Sequence, residues 1–207
     1  MNWEILISFV IATSALAISP GPDNIYVLMQ SLVHGKKFGI ATVCGLMTGC
    51  LVHTSLVAFG VSALIRANDS LYFIIKLFGA LYLMFLAYKV LRSDSELSIE
   101  NTSIPKKTTP QLFRQGFIMN VLNPKVSIFF LAFFPGFLFS DSMSTIVQFY
   151  VLGLTFMLVS FVIFGSIAIL SGWISDYIKK HNHVGSMLKW LQIVVFVGIA
   201  IFILVSE

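Results

Sequence analysis

Two short stretches of this sequence put charged and amide side chains beside prolines, inside segments otherwise built from apolar residues. "AISPGPDNIY", Ala17 to Tyr26, holds Pro20, Gly21, Pro22, Asp23 and Asn24, and "FIMNVLNPKVSIFF", Phe117 to Phe130, holds Asn120, Asn123, Pro124 and Lys125. A proline has no N–H to give to a helix and disfavours helical backbone in the residue before it, so the hydrogen-bond ladder cannot run through either stretch. Carbonyls left bare in hydrocarbon cost several kcal/mol each, which restricts such breaks to places where other helices or a water-filled cavity satisfy them. Asp23 and Asn24 are expected to cap the half-helix that restarts after the first break; Asn123 and Pro124 form a cap and first-turn pair for the second. Half-helix N-termini carry roughly half a positive charge and free N–H groups, so two of them meeting near the midplane beside Lys125 suit a carboxylate. Asp23 is the only acidic residue expected near the bilayer centre, where an ionised side chain costs at least about 2.5 kcal/mol and therefore has a partner or a task. The candidate contacts are Pro20, Gly21, Pro22, Asp23, Asn24, Asn120, Asn123, Pro124 and Lys125. Lys125 and the helix ends would take a carboxylate, while Asp23 and bare carbonyls would take an ammonium or a proton; a free amino acid carries both charges. The competing reading is architectural, with prolines that only kink and an Asp23–Lys125 ion pair that only locks two helices.

The elements that must position these residues are membrane helices. Of the 207 residues 57% are hydrophobic and only 11% charged, with a mean hydropathy of +0.93, outside the range of soluble domains. Long charge-free runs without polar/apolar alternation exclude an outer-membrane barrel and call for an all-α integral membrane protein. Six helices are predicted at about 4–33 (broken near 20–23), 38–65, 71–92, 112–139, 144–173 and 187–205. A polar segment, 93–111, links two groups of three within one domain, the half-repeats 1–92 and 112–207. Three helices followed by three, entering from opposite sides and each group opening with a broken helix, is the arithmetic of an inverted repeat. With the N-terminus outside, the cytoplasmic connections hold Lys36, Lys37, Lys89, Arg92, Lys106, Lys107, Arg114, Lys179, Lys180 and Lys189 and the outer ones only Arg66, so both termini are expected outside. Trp3, Trp173 and Trp190 all fall at predicted helix ends, where indoles prefer to lie. The N-terminal run lacks a basic start and carries Glu4, so it reads as a retained helix and not a cleaved signal.

Other residues draw plainer readings. The net charge of +4 marks topology and not a nucleic-acid partner, because the basic residues never form a block. Cys44 and Cys50 lie six apart on different faces of a helix and read as packing residues. Gly45 and Gly49 form a G-x-x-x-G for close helix approach. Lys76 is expected to snorkel outward, His53 to be a hydrogen-bonded packing residue, and His181 with His183 to sit in a solvated loop. Phe129, Phe130, Phe133 and Phe134 are expected to face lipid or pack. No nucleophile elbow, H-E-x-x-H, Walker sequence or metal-spaced cysteines occur, so no catalytic residue, metal or cofactor is assigned, and ATP hydrolysis is not the energy source. Proton coupling is the default, with Asp23 as carrier. A cation exporter would need a second ligand cluster, an intramembrane enzyme would have only Asp23 and Lys125 for acid and base, and a scaffold would tolerate losing both. A single domain with close-packing glycines also suits a homodimer.

On these residues the chain resembles the LysE/RhtB family of amino-acid exporters over essentially its whole length. The likeness is carried by "SPGPDN" in the first helix, Gly35, Gly39, Gly45 and Gly49 leading into the second, "GALYLMFLAYKVLRS" from Gly79 in the third and "FRQGFIMNVLNPKVSIFFLAFFP" from Phe113 in the fourth. The resemblance implies efflux of amino acids or close derivatives, driven by the proton gradient, across the cytoplasmic membrane of a bacterium. Gly136 stands after Pro135 where many members carry glutamine, so it assigns no substrate subgroup.

Overall fold

The structure, a computed structural model, describes residues 2–61, 69–93, 106–181 and 183–205. These residues form nine helices and no strand. We number them α1 (Trp3–Ile18), α2 (Pro22–His34), α3 (Lys36–Val61), α4 (Asp69–Arg92), α5 (Thr109–Val121), α6 (Pro124–Phe137), α7 (Thr145–Ile169), α8 (Ser171–Lys180) and α9 (His183–Val205). Four of them, α3, α4, α7 and α9, are long and apolar enough to cross a bilayer singly; α1 with α2 and α5 with α6 qualify as bent pairs, turning by 60° and 50° at their breaks. The fold is therefore an all-α membrane protein of up to six spans, with the breaks where the prolines require them. Most of the 93–111 linker, and Arg66, lie outside the described residues.

Two boundaries differ from expectation. The fifth span stops at Ile169, because Leu170 leaves the helical region (φ −93°, ψ 12°). The segment that follows, "SGWISDYIKK", folds as the separate helix α8, which at about 15 Å is too short to span. Trp173 thus marks α8, where it stacks on Tyr177, which in turn stacks on His181. The last helix begins at His183 and not near 187, since a polar first turn extends beyond the apolar run; His181 and His183 therefore end one helix and start the next.

Packing fixes which side chains meet. α3 runs alongside α5 because both present glycines: Gly45 lies on the Phe113 carbonyl and Gly116 on the Thr42 carbonyl. α7 packs on α1 as α3 packs on α5, while α3 meets α7 and α4 meets α9. A left-handed Gly35 (φ 99°), a conformation open to glycine, makes the tight turn between α2 and α3. The basic residues Lys36, Lys37, Lys89, Arg92, Lys106 and Lys107 gather at one end of the bundle, where Lys189 Nζ donates to the Ser93 carbonyl at 2.7 Å. At the opposite end Gln148 clamps the turn after α6, accepting from the Phe139 and Ser140 N–H groups and donating to the Ser140 and Met143 carbonyls at 2.7 to 3.0 Å. Between the breaks and that end, Phe129, Phe130, Phe133 and Phe134 are buried; Phe134 packs on Phe9, Phe129 and Phe130 on Phe156, and Phe133 on Phe202, so they face the interior and not lipid.

Lys76 corrects the outward-snorkelling expectation. It is only 6% exposed, with Nζ 5.6 Å from the centre of the Tyr72 ring one turn earlier, whose face supplies the favourable field that headgroup water would otherwise supply.

Candidate functional site

The chain after each break restarts in the same register. Gly21 and Asn123 are the residues before α2 and α6, Pro22 and Pro124 open the helices, and Asp23 and Lys125 occupy the second helical position of each. The two half-helices therefore present opposite charges at equivalent places, next to N–H groups that have no partner within the helix.

Capping differs between them. Asn123 caps α6 as its sequence predicts, accepting from the Lys125 N–H at 3.0 Å. Asp23 and Asn24 do not cap α2: the cap position is Gly21, which has no side chain to offer, and Asn24 reaches back to donate to the Ala17 carbonyl at 2.7 Å, tying α2 to the end of α1. The freed carbonyls are mostly occupied. Lys125 Nζ donates to the Ser19 carbonyl at 3.4 Å, and His53 Nε2 lies 3.1 Å from the Asn120 carbonyl, the packing role expected of that histidine. This corrects the picture of bare carbonyls awaiting a ligand, because the polar side chains near each break have already taken them.

Asp23 is 6% exposed, and its carboxylate accepts from Asn123 Nδ2 at 2.9 Å. Lys125 lies over the Phe196 ring, 5.1 Å from its centre. Among the described residues the two charges do not close on each other as an ion pair; Asn123 instead links the carboxylate to the first turn of α6. A methyl group at Gly21 would lie 3.7 Å from Lys125 Nζ, so the absence of a side chain there leaves room beside the ammonium.

Two cavities share this centre. The inner one, about 30 Å³, is lined by Gly21, Pro22, Asp23, Asn24, Asn120, Asn123 and Lys125 on one side and by an apolar wall on the other. It has room for a water or two and is too small for an amino acid. The outer one, about 360 Å³, leads toward the basic end past Tyr82, Lys89 and Gln192 and reaches the same Gly21, Pro22, Asn123 and Lys125. All the predicted site residues except Pro20 line one cavity or both. The apolar wall, Leu16, Met47, Val126, Phe156 and Phe164 with Ser160 among them, carried no signal in the sequence, since an apolar residue in a membrane helix looks the same whether it faces lipid or a cavity. A wider depression of about 640 Å³, containing Glu4 and Asp141, sits at the opposite end, and the buried phenylalanines of α6 lie between it and Lys125. Among the described residues no three His, Cys, Asp or Glu side chains come together as a metal site.

The centre thus joins one carboxylate, one ammonium and a cavity that reaches one end of the bundle, an arrangement of the kind found where a membrane protein holds a small charged molecule. Comparison with known proteins agrees. The chain is 29% identical over 198 residues to a leucine efflux protein of Salmonella choleraesuis (strain SC-B67), covering 93% of this chain and 91% of the other. It is 28% identical over 189 residues to a homoserine/homoserine lactone efflux protein of Salmonella typhimurium, covering 91% of each. No solved structure gives a significant match. Residues 14–207 match the family described as LysE type translocator, and the chain belongs to that family.

Proposed function

We propose that this protein exports free amino acids or close derivatives from the bacterial cytoplasm across the inner membrane, exchanging them for protons. The observation that carries the reading is the centre itself: Asp23 and Lys125, second residues of two half-helices, line one cavity from opposite elements. Lys125 and the half-helix N–H groups take the carboxylate; Asp23 takes the ammonium, or the proton that returns. The relatives named for efflux of leucine and of homoserine support an amino-acid cargo. By the excess of Lys and Arg, the basic end faces the cytoplasm and both termini lie outside. The 360 Å³ cavity is then the cytoplasmic vestibule, and the phenylalanine layer with the Gln148 clamp is the closed outer side. The shared register of the two breaks, and the matched packing of α3 on α5 and α7 on α1, support two inverted halves that rock around the centre.

The test is export from cells preloaded with labelled leucine or homoserine, under an imposed inward proton gradient, at matched protein levels. Wild type exports in proportion to the gradient. Lys125→Ala lowers export by about 30-fold or more, because the substrate carboxylate then enters the buried centre without its charged partner, at a cost of at least about 2 kcal/mol. Wild type that moves no amino acid, or Lys125→Ala that exports at the wild-type rate, overturns the proposal.

A further inference from the structure

We infer that protons leave the centre for the cytoplasm by a route of their own, a file of water along α2 held by Tyr26, Gln30 and Ser175, apart from the cavity that admits the amino acid. The inference rests on the proton-exchange reading of the same centre and supplies the path that reading leaves open.

The two charges at the centre do not share their surroundings. Lys125 lines both the inner cavity and the outer one, whereas of these two Asp23 lines the inner cavity alone, together with Ser160 of α7. The outer cavity runs past Tyr82 and Lys89 of α4 and Gln192 of α9, and takes only Pro22 from α2. Beyond Asp23, α2 packs instead on α3, α5, α7 and α8.

The buried face of α2 carries polar groups that these neighbours leave unsatisfied. Gln30 is fully buried, and neither its Oε1 nor its Nε2 has a hydrogen-bond partner among the described residues. The Tyr26 hydroxyl, one turn nearer the centre, is buried and unpaired as well. So are the hydroxyls of Ser19 just before α2, Ser160 on α7 and Ser175 on α8; Thr13, on α1, stands apart. The unpaired groups therefore gather on one seam, while Ser31 beside Gln30 is satisfied by the Val27 carbonyl at 2.7 Å. A buried amide with no partner is costly, and proteins offset that cost with ordered water, each molecule making about three hydrogen bonds. A side chain that only packed here would be apolar, as Val27 is.

The spacing of these groups suits a relay. Along α2, Tyr26 lies about 4.5 Å and Gln30 about 10.5 Å beyond Asp23 toward the basic end, at 1.5 Å per residue. Such gaps exceed one hydrogen bond and are bridged by water, the first of which has room in the inner cavity. His34, on the same helical face and edge-on to Phe38, ends the file next to Lys36 and Lys37. The titratable groups that line the inner cavity with Asp23 are Cys50 of α3 and Lys125 of α6. Between Asp23 and His34 the only titratable residue of α2 is Tyr26, and α7 has none from Ser160 to Ile169, so water carries the proton over this length. Each water breaks one O–H bond as it makes the next, and one proton leaves past His34 for each that Asp23 releases.

The test separates two modes of transport by purified protein in liposomes. Exchange of labelled for unlabelled leucine or homoserine at equal pH needs no proton release, whereas net movement driven by a pH gradient does. Gln30→Leu puts an apolar side chain where the amide stood, and Tyr26→Phe removes one oxygen. Each slows the gradient-driven mode at least about tenfold, a modest part of what a positioned proton-transfer group contributes, and leaves exchange at the wild-type rate. Equal slowing of both modes marks these residues as packing and overturns the path, as does a gradient-driven rate unchanged in both variants. Wild type that exchanges amino acid but ignores the pH gradient overturns proton exchange and its path while leaving amino-acid export standing. Wild type that moves no amino acid in either mode overturns both readings together.

Discussion

At the scale of residues, Asn123 does two things at once. Its Oδ1 caps α6 and its Nδ2 holds the Asp23 carboxylate, so one side chain fixes both the helix start and the orientation of the acid. Asn123→Ala removes both, and in detergent it should unfold a few degrees lower, the equivalent of about 1 kcal/mol for a lost cap. Asn123→Ser restores a good cap with a side chain too short to hold Asp23 as asparagine does. It should therefore recover the melting temperature but not the transport rate; recovery of both would show that the bond to Asp23 is incidental. The proton belongs to Asp23 in this account. Acidifying the outside speeds wild-type export, because protons then run inward in exchange; Asp23→Asn should export at a rate that ignores external pH, and a retained acid response would remove Asp23 from the coupling.

At the scale of elements, the glycines set how closely α3 meets the second break. A methyl group at Gly49 would lie 2.7 Å from Asn120 Oδ1 and 2.8 Å from its Cβ, forcing away a residue whose carbonyl holds His53 and whose amide lines the inner cavity. Gly49→Ala should cost about 1 to 3 kcal/mol, read as a lower melting temperature with reduced transport. Gly60→Ala and Gly198→Ala, where the added methyl meets nothing within 4 Å, should leave both unchanged. The elements also show what a sequence can carry. The breaks were legible because proline lacks an N–H, and the charges beside them because hydrocarbon tolerates none without cause. The end of α7 at Ile169 was not, since the polar residues of α8 follow without a proline and only the amphipathic face of "SGWISDYIKK" separates it from the span. The cap of α2 was misread because Asp and Asn after a proline suit a cap by type, whereas the backbone placed the cap at Gly21 and left Asn24 free to reach Ala17. The apolar wall was silent altogether. In water an apolar stripe marks the core, but in lipid both faces of a helix are apolar, so Phe156, Phe164 and the serine between them could be assigned only by packing.

At the scale of the molecule, the bundle is open from its basic end to the centre and closed beyond it. α6 makes the closure against α1, with Phe134 and Phe137 edge-on to Phe9 at 5.1 and 5.3 Å between ring centres, pairs worth roughly 0.5 to 1.5 kcal/mol each beyond the area they bury. This is a closure that rocking of the two halves would open by separating faces, with no chemical bond to break. Single cysteines replacing Tyr82 or Gln192, in a chain whose Cys44 and Cys50 are changed to alanine, should react with a membrane-impermeant thiol reagent added from the cytoplasmic side and not from outside. Substrate should slow that reaction; labelling from outside alone would reverse the orientation assigned here.

The central claim is that Lys125 and the half-helix ends recognise the carboxylate common to all the substrates. The most direct measurement is calorimetric binding to purified protein of the amino acid it exports fastest, beside the matching amine that lacks the carboxylate, for wild type and for Lys125→Met. The account predicts that wild type binds the amino acid at least about 30-fold more tightly than the amine, and that Lys125→Met loses most of that difference. Equal binding of both compounds by wild type, or a preference unchanged in Lys125→Met, would contradict it.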